Sequence, residues 1–380
     1  MKRLVVLGST GSIGRAALEV IDHLQGVLHV EALTACRNTS ILIDQIQRYK
    51  PRAVVFCEPV PRELKDACKQ YKTELYTGIE GLTLVSTRER VDIILNALVG
   101  AVGLIPTIHA LRAGKTVALA NKESLVIGGE LVMREAGDDG IRIRPVDSEH
   151  AALHQTLNDR PPEDVRRLWL TASGGALREY NGPPEDVTPA MALAHPTWDM
   201  GRKVTIDSAT MMNKGLEIIE AHHLFQVPFD TIECLIHTQS IVHSLVELRD
   251  GSVLAHMAPP DMRGPIQYAL TYPDLSPNML PPLLPDGIAT LDFKRVELSR
   301  YPCLALAIQT GRTGGSYVAA MNAANEVAVS LFLDGKVGFT GIPRIIESVL
   351  EQHDNTATPS LDDILAADAW ARNTAQRMVH

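Results

Sequence analysis

Asp147, Ser148, Glu149 and His150 occupy four consecutive positions directly after the arginine-punctuated apolar run IRIRPV. Charged groups at the end of a buried strand carry a desolvation cost unless they are paired or used. If the chain stays extended there, Asp147 and Glu149 point to the same side, because alternate side chains share a face. A third acid, Glu217, lies in DSATMMNKGLEIIEAHHLF. It stands one helical turn after Asn213, with Lys214 beside them, while Leu216 and Ile219 turn toward a core. Three carboxylates make an oxygen-only donor set, which suits Mg²⁺ or Mn²⁺ rather than zinc. Spacing alone leaves a second account open, in which these acids are solvated or held in salt bridges.

Other residue types in the same region suit a phosphate. Ser173 precedes two glycines in TASGG, and Ser208, Asn213 and Lys214 add hydroxyl, amide and ammonium donors. The plainer alternatives are a turn residue at Ser173 and a helix cap at Ser208 or Thr210. HPTWDMG, from His195 to Gly201, sets Trp198 and Met200 between Pro196 and Gly201. Such a loop reads either as a lid that excludes water or as a loop packing one aromatic into a core. ANKESLV follows a strand-like run and carries Asn121, Lys122 and Glu123.

The elements that must position these groups begin at the first residues. Arg3 to Leu7 is a β-branched apolar strand, and GSTGSIGRAALEVIDHL then turns into an amphipathic helix. HVEALTA, AVVF, DIILNAL and TVALA read as further buried strands, with helical segments between them. Apolar strands alternating with helices predict a Rossmann-type doubly wound parallel sheet over residues 1–146. RLWLTAS, KVTID, TIECLIHT, SIVHSLVEL and SVLAHM read as strands of an α+β catalytic domain over 147–271. The proline-rich YPDLSPNMLPPLLPDG marks a linker over 272–297. Four helical patterns then predict a small C-terminal helical bundle over 298–380. The class is therefore α/β.

GSTGSIG places Gly8, Gly11 and Gly14 where the first strand turns into a helix. Residues lacking a Cβ let backbone approach a pyrophosphate, and the helix N-terminus supplies free N–H groups. The second strand ends in Ala35, Cys36, Arg37 and Asn38. An acid that would bind the ribose hydroxyls of NAD is missing, and Arg37 suits a 2′-phosphate, so the reading favours NADPH.

Bulk composition narrows the function classes. The 380 residues exceed one ordinary core. A net charge of −9, with scattered cations, opposes nucleic acid binding. No apolar run reaches membrane-spanning length. Five cysteines without CxxC spacing predict reduced thiols in a cytoplasmic protein and no structural zinc. MKRLVVLGSTG reads as a strand from the outset rather than as a leader.

GSTGSIG, ANKESLV, PVDSEHAAL, LTASGGALRE, HPTWDMGRKVTIDSATMMNKGLEIIEA, HTQSIVHSLVE, DGSVLAHM, PDMRGPI and AMNAANE, in this order, resemble the 1-deoxy-D-xylulose 5-phosphate reductoisomerase family along nearly the whole chain. The resemblance implies rearrangement of that sugar phosphate, described as a retro-aldol and aldol sequence, and its reduction by NADPH to 2-C-methyl-D-erythritol 4-phosphate in isoprenoid biosynthesis. It implies Asp147, Glu149 and Glu217 as metal ligands. Thr10, Gly11, Ser12 and Ile13 fit the pyrophosphate turn, Arg37 and Asn38 the adenosine phosphate, and Asn121 and Glu123 the nicotinamide side. Lys122, Ser148, Ser173, His195, Ser208, Asn213 and Lys214 fit the substrate site alongside Glu149 and Glu217. Lys122 suits a developing oxyanion. Trp198 and Met200 fit the closing loop, and Gly201 a backbone cofactor contact. Cys36 stands where many members have glycine, and Thr238 where proline is usual. The resemblance also implies a homodimer. The alternatives are another metal-assisted NADPH-dependent sugar-phosphate dehydrogenase and a non-catalytic NADPH-binding regulator.

Overall fold

A computed structural model describes residues 1–137, 142–158, 160–277 and 279–378. Ile141 of the run before Asp147, Asp159, Asn278 of the proline-rich segment and the last two residues of the C-terminal helical segment lie outside the described residues. Contacts divide the chain into two compact units. The first comprises 1–121, 132–151 and 261–281; the second comprises 122–131, 152–260 and 282–380.

The first unit is built on the strands β1 (Lys2–Leu7), β2 (Leu28–Ala35), β3 (Ala53–Phe56), β4 (Glu74–Thr77), β5 (Ile93–Asn96), β6 (Thr116–Leu119) and β7 (Ile143–Pro145). They form one sheet in the order β4-β3-β2-β1-β5-β6-β7, and every pairing is parallel. Leu4, Val5, Val6 and Leu7 are fully buried, as a strand covered by helices on both faces requires. The crossings carry α1 (Ser12–His23), α2 (Thr39–Tyr49), α3 (Arg62–Tyr71), α4 (Gly78–Ser86) and α5 (Leu104–Arg112). The chain continues into α6 (Lys122–Ala136), kinked at Gly128, and α7 (Ser148–Leu157), and the division between units falls within both.

The second unit holds a five-stranded sheet. Its strands are β8 (Val165–Ala172), β9 (Ile232–Ile236), β10 (Val242–Leu248), β11 (Val253–Met257) and β12 (Lys294–Arg295), in the order β11-β10-β8-β9-β12. Only β8 and β9 run parallel among these pairs. Helices α8 (Pro189–Leu193), α9 (Arg202–Ala209) and α10 (Met212–Phe225) lie between β8 and β9 in sequence. Helix α11 (Arg263–Thr271) belongs to the first unit, where Ile266, Ala269 and Leu270 join the core of α1 and β1. Thus 261–271 and the described residues of 272–281 belong to the first unit, whereas the residues that precede them in sequence belong to the second. The final helices, α12 (Pro302–Thr313), α13 (Tyr317–Leu333), α14 (Gly341–Gln352) and α15 (Leu361–Arg377), match the four helical patterns in the sequence. Pro302 opens α12, and Ser360 with Asp363 forms a capping box on α15.

Three expectations are corrected. KVTID is helical, inside α9, because Lys203 and Asp207 pair across one turn. The run after Pro145 does not stay extended: the Ala151 N–H donates to the Asp147 carbonyl at 2.8 Å, and α7 begins at Ser148. Cys36 and Cys57 form a disulfide with Cα atoms 4.7 Å apart. The cause is register: Ala35 pairs with Phe56 across β2 and β3, so the next residue of each strand meets its counterpart.

Candidate functional site

The three glycines of GSTGSIG have separate physical reasons. Gly8 has φ +82°, and a Cβ there would lie 2.6 Å from the Ala97 carbonyl oxygen at the end of β5. A Cβ on Gly14 would lie 2.3 Å from the Gly8 carbonyl oxygen, so α1 leaves the sheet only if residue 14 is glycine. Gly11 is the extended residue that opens α1. Thr10 is buried, and Gly11 and Ser12 are exposed at that helix N-terminus. This bare, positively polarised turn fits a pyrophosphate. Arg37 and Asn38 are exposed just past β2, next to the Cys36–Cys57 link. Asn121, fully buried at the end of β6, donates its amide to the carbonyls of Leu98 and Gly100, both at 3.0 Å.

Asp147 ends the sheet side of the turn into α7. Its carboxylate has an oxygen within 4.8 Å of ligand atoms on both Glu149 and His150. The Ser148 hydroxyl donates to Glu149 Oε2 at 2.5 Å. The two acids therefore converge through the first turn of a helix rather than through strand alternation. His150 is fully buried.

Within the second unit, α6 and α10 bring four polar side chains together. Lys122 Nζ donates to Asn213 Oδ1 at 3.0 Å and to Glu217 Oε1 at 2.8 Å. Asn213 Nδ2 also donates to Glu217 Oε1, and Lys214 pairs with Glu217 Oε2. Lys214 and Glu217 are almost wholly buried. The spacings explain the cluster, since positions three and four apart share a helix face. Met211 enters α10 in the left-handed region, which starts a new helix axis after α9. Thr210 Oγ1 accepts from the Met212 N–H at 3.3 Å, so Thr210 rather than Ser208 serves that helix start.

Ser173 lies in the loop after β8. Gly174 and Gly175 take φ +84° and +69°, and a Cβ on Gly175 would lie 2.5 Å from the Ser208 carbonyl oxygen. The TASGG loop is thereby pressed onto the end of α9. Ser173 Oγ lies 2.9 Å from His195 Nε2. His195 Nδ1 accepts from the N–H groups of Thr197 at 3.1 Å and Trp198 at 2.9 Å. With its lone pair so used, the neutral ring carries its proton on Nε2 and donates to Ser173. Burial, with help from the Arg178 charge, holds the His195 pKa below its ordinary value. The HPTWDMG loop is thus folded on its own histidine, with Trp198 and Met200 half-buried and Gly201 exposed as the residue before α9.

Lys203, Asp207 and Asn325 escaped the sequence reading, although their partner Glu123 did not. Lys203 Nζ lies 2.8 Å from Asp207 Oδ2 and 3.2 Å from Glu123 Oε1, and Asn325 Nδ2 donates to Asp207 Oδ1 at 2.9 Å. The signal was present as a lysine and an acid four apart in GRKVTID, but reading that stretch as a strand hid it.

A glycine turn opening the first helix of a parallel doubly wound sheet, together with lysines gathered on a buried carboxylate, fits a dinucleotide-dependent oxidoreductase. Comparison with known proteins narrows the class. Residues 4–129 match the model for 1-deoxy-D-xylulose 5-phosphate reductoisomerase, 143–225 that family's C-terminal domain model, and 257–374 the DXP reductoisomerase C-terminal domain model. A reductoisomerase of that name from Halothermothrix orenii is 47% identical over 99% of this chain and 98% of its own. One from Heliobacterium modesticaldum is 50% identical over 100% of this chain and 98% of its own. A structure of DOX-P reductoisomerase in complex with NADPH, fosmidomycin and magnesium superposes with TM-score 0.93 at 35% identity, covering 100% of this chain and 98% of that one. The Zymomonas mobilis enzyme in complex with NADPH gives 0.91 at 41% identity with the same coverage. The chain belongs to the 1-deoxy-D-xylulose 5-phosphate reductoisomerase family.

Proposed function

We propose that the protein converts 1-deoxy-D-xylulose 5-phosphate to 2-C-methyl-D-erythritol 4-phosphate, rearranging the carbon skeleton and reducing the resulting aldehyde. NADPH supplies the hydride, and a divalent cation, Mg²⁺ or Mn²⁺, supplies Lewis-acid polarisation of the substrate carbonyl and its neighbouring hydroxyl. Asp147, Glu149 and Glu217 are the ligands we assign to the cation. The oxygen-only chemistry of these side chains fits a hard ion rather than a thiophilic one. The glycine turn fits the pyrophosphate, Arg37 and Asn38 the adenosine phosphate, and Asn121 and Glu123 the nicotinamide side. Gly201 has open space where a Cβ would sit and an ordinary φ of −58°, so nothing in the chain itself demands glycine there. That supports a close backbone contact with the cofactor.

The observation that carries the reading furthest is the cluster on Glu217. Two lysines and an amide converge on one carboxylate in a buried place, which is costly unless the charges are used. Lys122 offers an ammonium to the oxyanion that develops during rearrangement. Ser173, with the Nε2 proton of His195 beside it, and Ser208 offer donors to the substrate phosphate. Trp198 and Met200 close over the bound substrate and exclude water.

Among the described residues no helix is long and apolar enough to cross a membrane. We infer a cytoplasmic enzyme that works as a homodimer. The edge position of β11, with Val253 and Met257 exposed, supports association between copies. Metal-dependent oxidation of NADPH on addition of 1-deoxy-D-xylulose 5-phosphate tests the function. Steady NADPH absorbance with folded protein, substrate and Mn²⁺ present would refute it.

A further inference from the structure

AMNAANE has no part in the chemistry above, yet it places two fully buried asparagines, Asn322 and Asn325, on α13. Buried amides require partners. Asn325 Nδ2 donates to Asp207 Oδ1 at 2.9 Å. Asn322 Nδ2 donates to Glu326 Oε1 at 2.9 Å, and Arg372 of α15 reaches Glu326 Oε2 at 2.6 Å. Asp207 is 1% exposed, and its second oxygen receives Lys203 Nζ at 2.8 Å. The same ammonium reaches Glu123 Oε1 at 3.2 Å. A polar path therefore runs from Asn325 of α13 through Asp207 and Lys203 of α9 to Glu123 in the first turn of α6, while a separate group joins α13 to Arg372 of α15, all inside the second unit.

The position of Lys203 gives this path a consequence. It stands in the first turn of α9, two residues after Gly201, where the HPTWDMG loop ends. Its far partner, Glu123, directly follows Lys122. Burial pulls the Lys203 pKa down, and the facing carboxylates of Asp207, Glu123 and Glu326 more than offset that, holding it above the ordinary lysine value. A fixed, charged donor on one oxygen of Glu123 sets the rotation of that carboxylate.

We propose that Lys203 is a positioning residue for the nicotinamide end of the cofactor site, orienting Glu123 while Asp207 and Asn325 hold the lysine in place. The proposal rests on the reading of Glu123 as a nicotinamide-side contact. It differs from a purely structural ion pair in what it disturbs: cofactor affinity, with little change toward the sugar phosphate.

The test compares the full-length protein with Glu123→Gln, Lys203→Met, Lys203→Arg, Asn325→Ala and the Glu123→Gln/Lys203→Met double variant. NADPH dissociation constants are read by fluorescence without metal or sugar phosphate, alongside KM for each substrate and the thermal midpoint. Lys203→Met should raise the NADPH dissociation constant and KM about tenfold, the scale of one charge-assisted hydrogen bond. The KM for the sugar phosphate should stay within about twofold. Lys203→Arg should recover most of the loss, Asn325→Ala should show a smaller rise of the same kind, and the double variant should bind NADPH no worse than Glu123→Gln alone. Wild-type NADPH affinity in Lys203→Met beside impaired Glu123→Gln would overturn the proposal and leave the Glu123 reading intact. Equal rises in both KM values would also overturn it. Wild-type affinity in Glu123→Gln would overturn that reading, and the proposal with it. Should Lys203→Met fail to fold, Asn325→Ala decides, and unchanged NADPH affinity there contradicts the proposal.

Discussion

Lys122 Nζ donates to Glu217 Oε1 at 2.8 Å across a sequence separation of 95 residues. Local sequence cannot bring these two groups together, so α6 and α10 must both be in place for the contact to form. Glu217 also keeps Lys214 as a partner, and this arrangement allows Lys122 to be removed without stranding a buried carboxylate.

Lys122→Met should therefore fold and bind NADPH as the wild type does, but lose about a hundredfold or more in kcat, the scale of one lost oxyanion donor. Steady-state kinetics with a parallel thermal melt check this. A kcat near the wild-type value would remove Lys122 from the chemistry.

Glu149→Gln takes away one anionic oxygen while keeping the side chain's size. The Ser148 hydroxyl still finds an acceptor there. Half-activation should need about tenfold or more Mn²⁺, with NADPH affinity unchanged. A metal titration of activity reads the effect, and an unaltered titration would contradict the ligand assignment.

Arg37 is exposed past the end of β2 and bears on cofactor choice rather than folding. Arg37→Glu should raise KM for NADPH by about tenfold or more and leave KM for NADH nearly unchanged. Equal effects on the two would remove the 2′-phosphate argument.

Acid should destabilise the fold through buried imidazoles. Burial, reinforced by neighbouring His256, depresses His243 from 6.5 to about 4, and burial with His222 brings His223 to about 4. Both are neutral in either state above pH 6.5, so they leave stability flat there. Between pH 6.5 and about 4 the unfolded chain takes up the protons and the folded one does not, so stability falls as pH falls. For His243, 6% exposed, the full drop is worth about 3 kcal/mol. Urea melts across that window check it, and His243→Gln should flatten the slope. An unchanged slope in that variant would contradict the assignment.

The parallel sheet was legible because its strands are short β-branched runs buried on both faces, as at VVL and AVVF. The glycine turn and the four closing helices were legible for similar local reasons. Asn213, Lys214 and Glu217 could be grouped because helical spacing is fixed. KVTID was misread because Val204, Thr205 and Ile206 favour strands and outweighed the lysine and acid four apart that suit a helix, while the further partners of that pair, Glu123 and Asn325, lie far away in sequence. The Cys36–Cys57 link was hidden for another reason. Its 21-residue separation spans a helical crossover and carries no spacing signature, and only strand register brings the two together. The return of α11 to the first unit was equally silent: Ile266, Ala269 and Leu270 announce an apolar helix face but not the surface that receives it.

The most direct test of the central claim is the carbon skeleton of the product. The purified protein is supplied with carbon-13-labelled 1-deoxy-D-xylulose 5-phosphate, NADPH and Mn²⁺, and the product is read by NMR. The expected product carries the branched skeleton of 2-C-methyl-D-erythritol 4-phosphate and forms in step with NADPH oxidation. An unbranched, reduced sugar phosphate would mark a simple dehydrogenase and contradict the central claim.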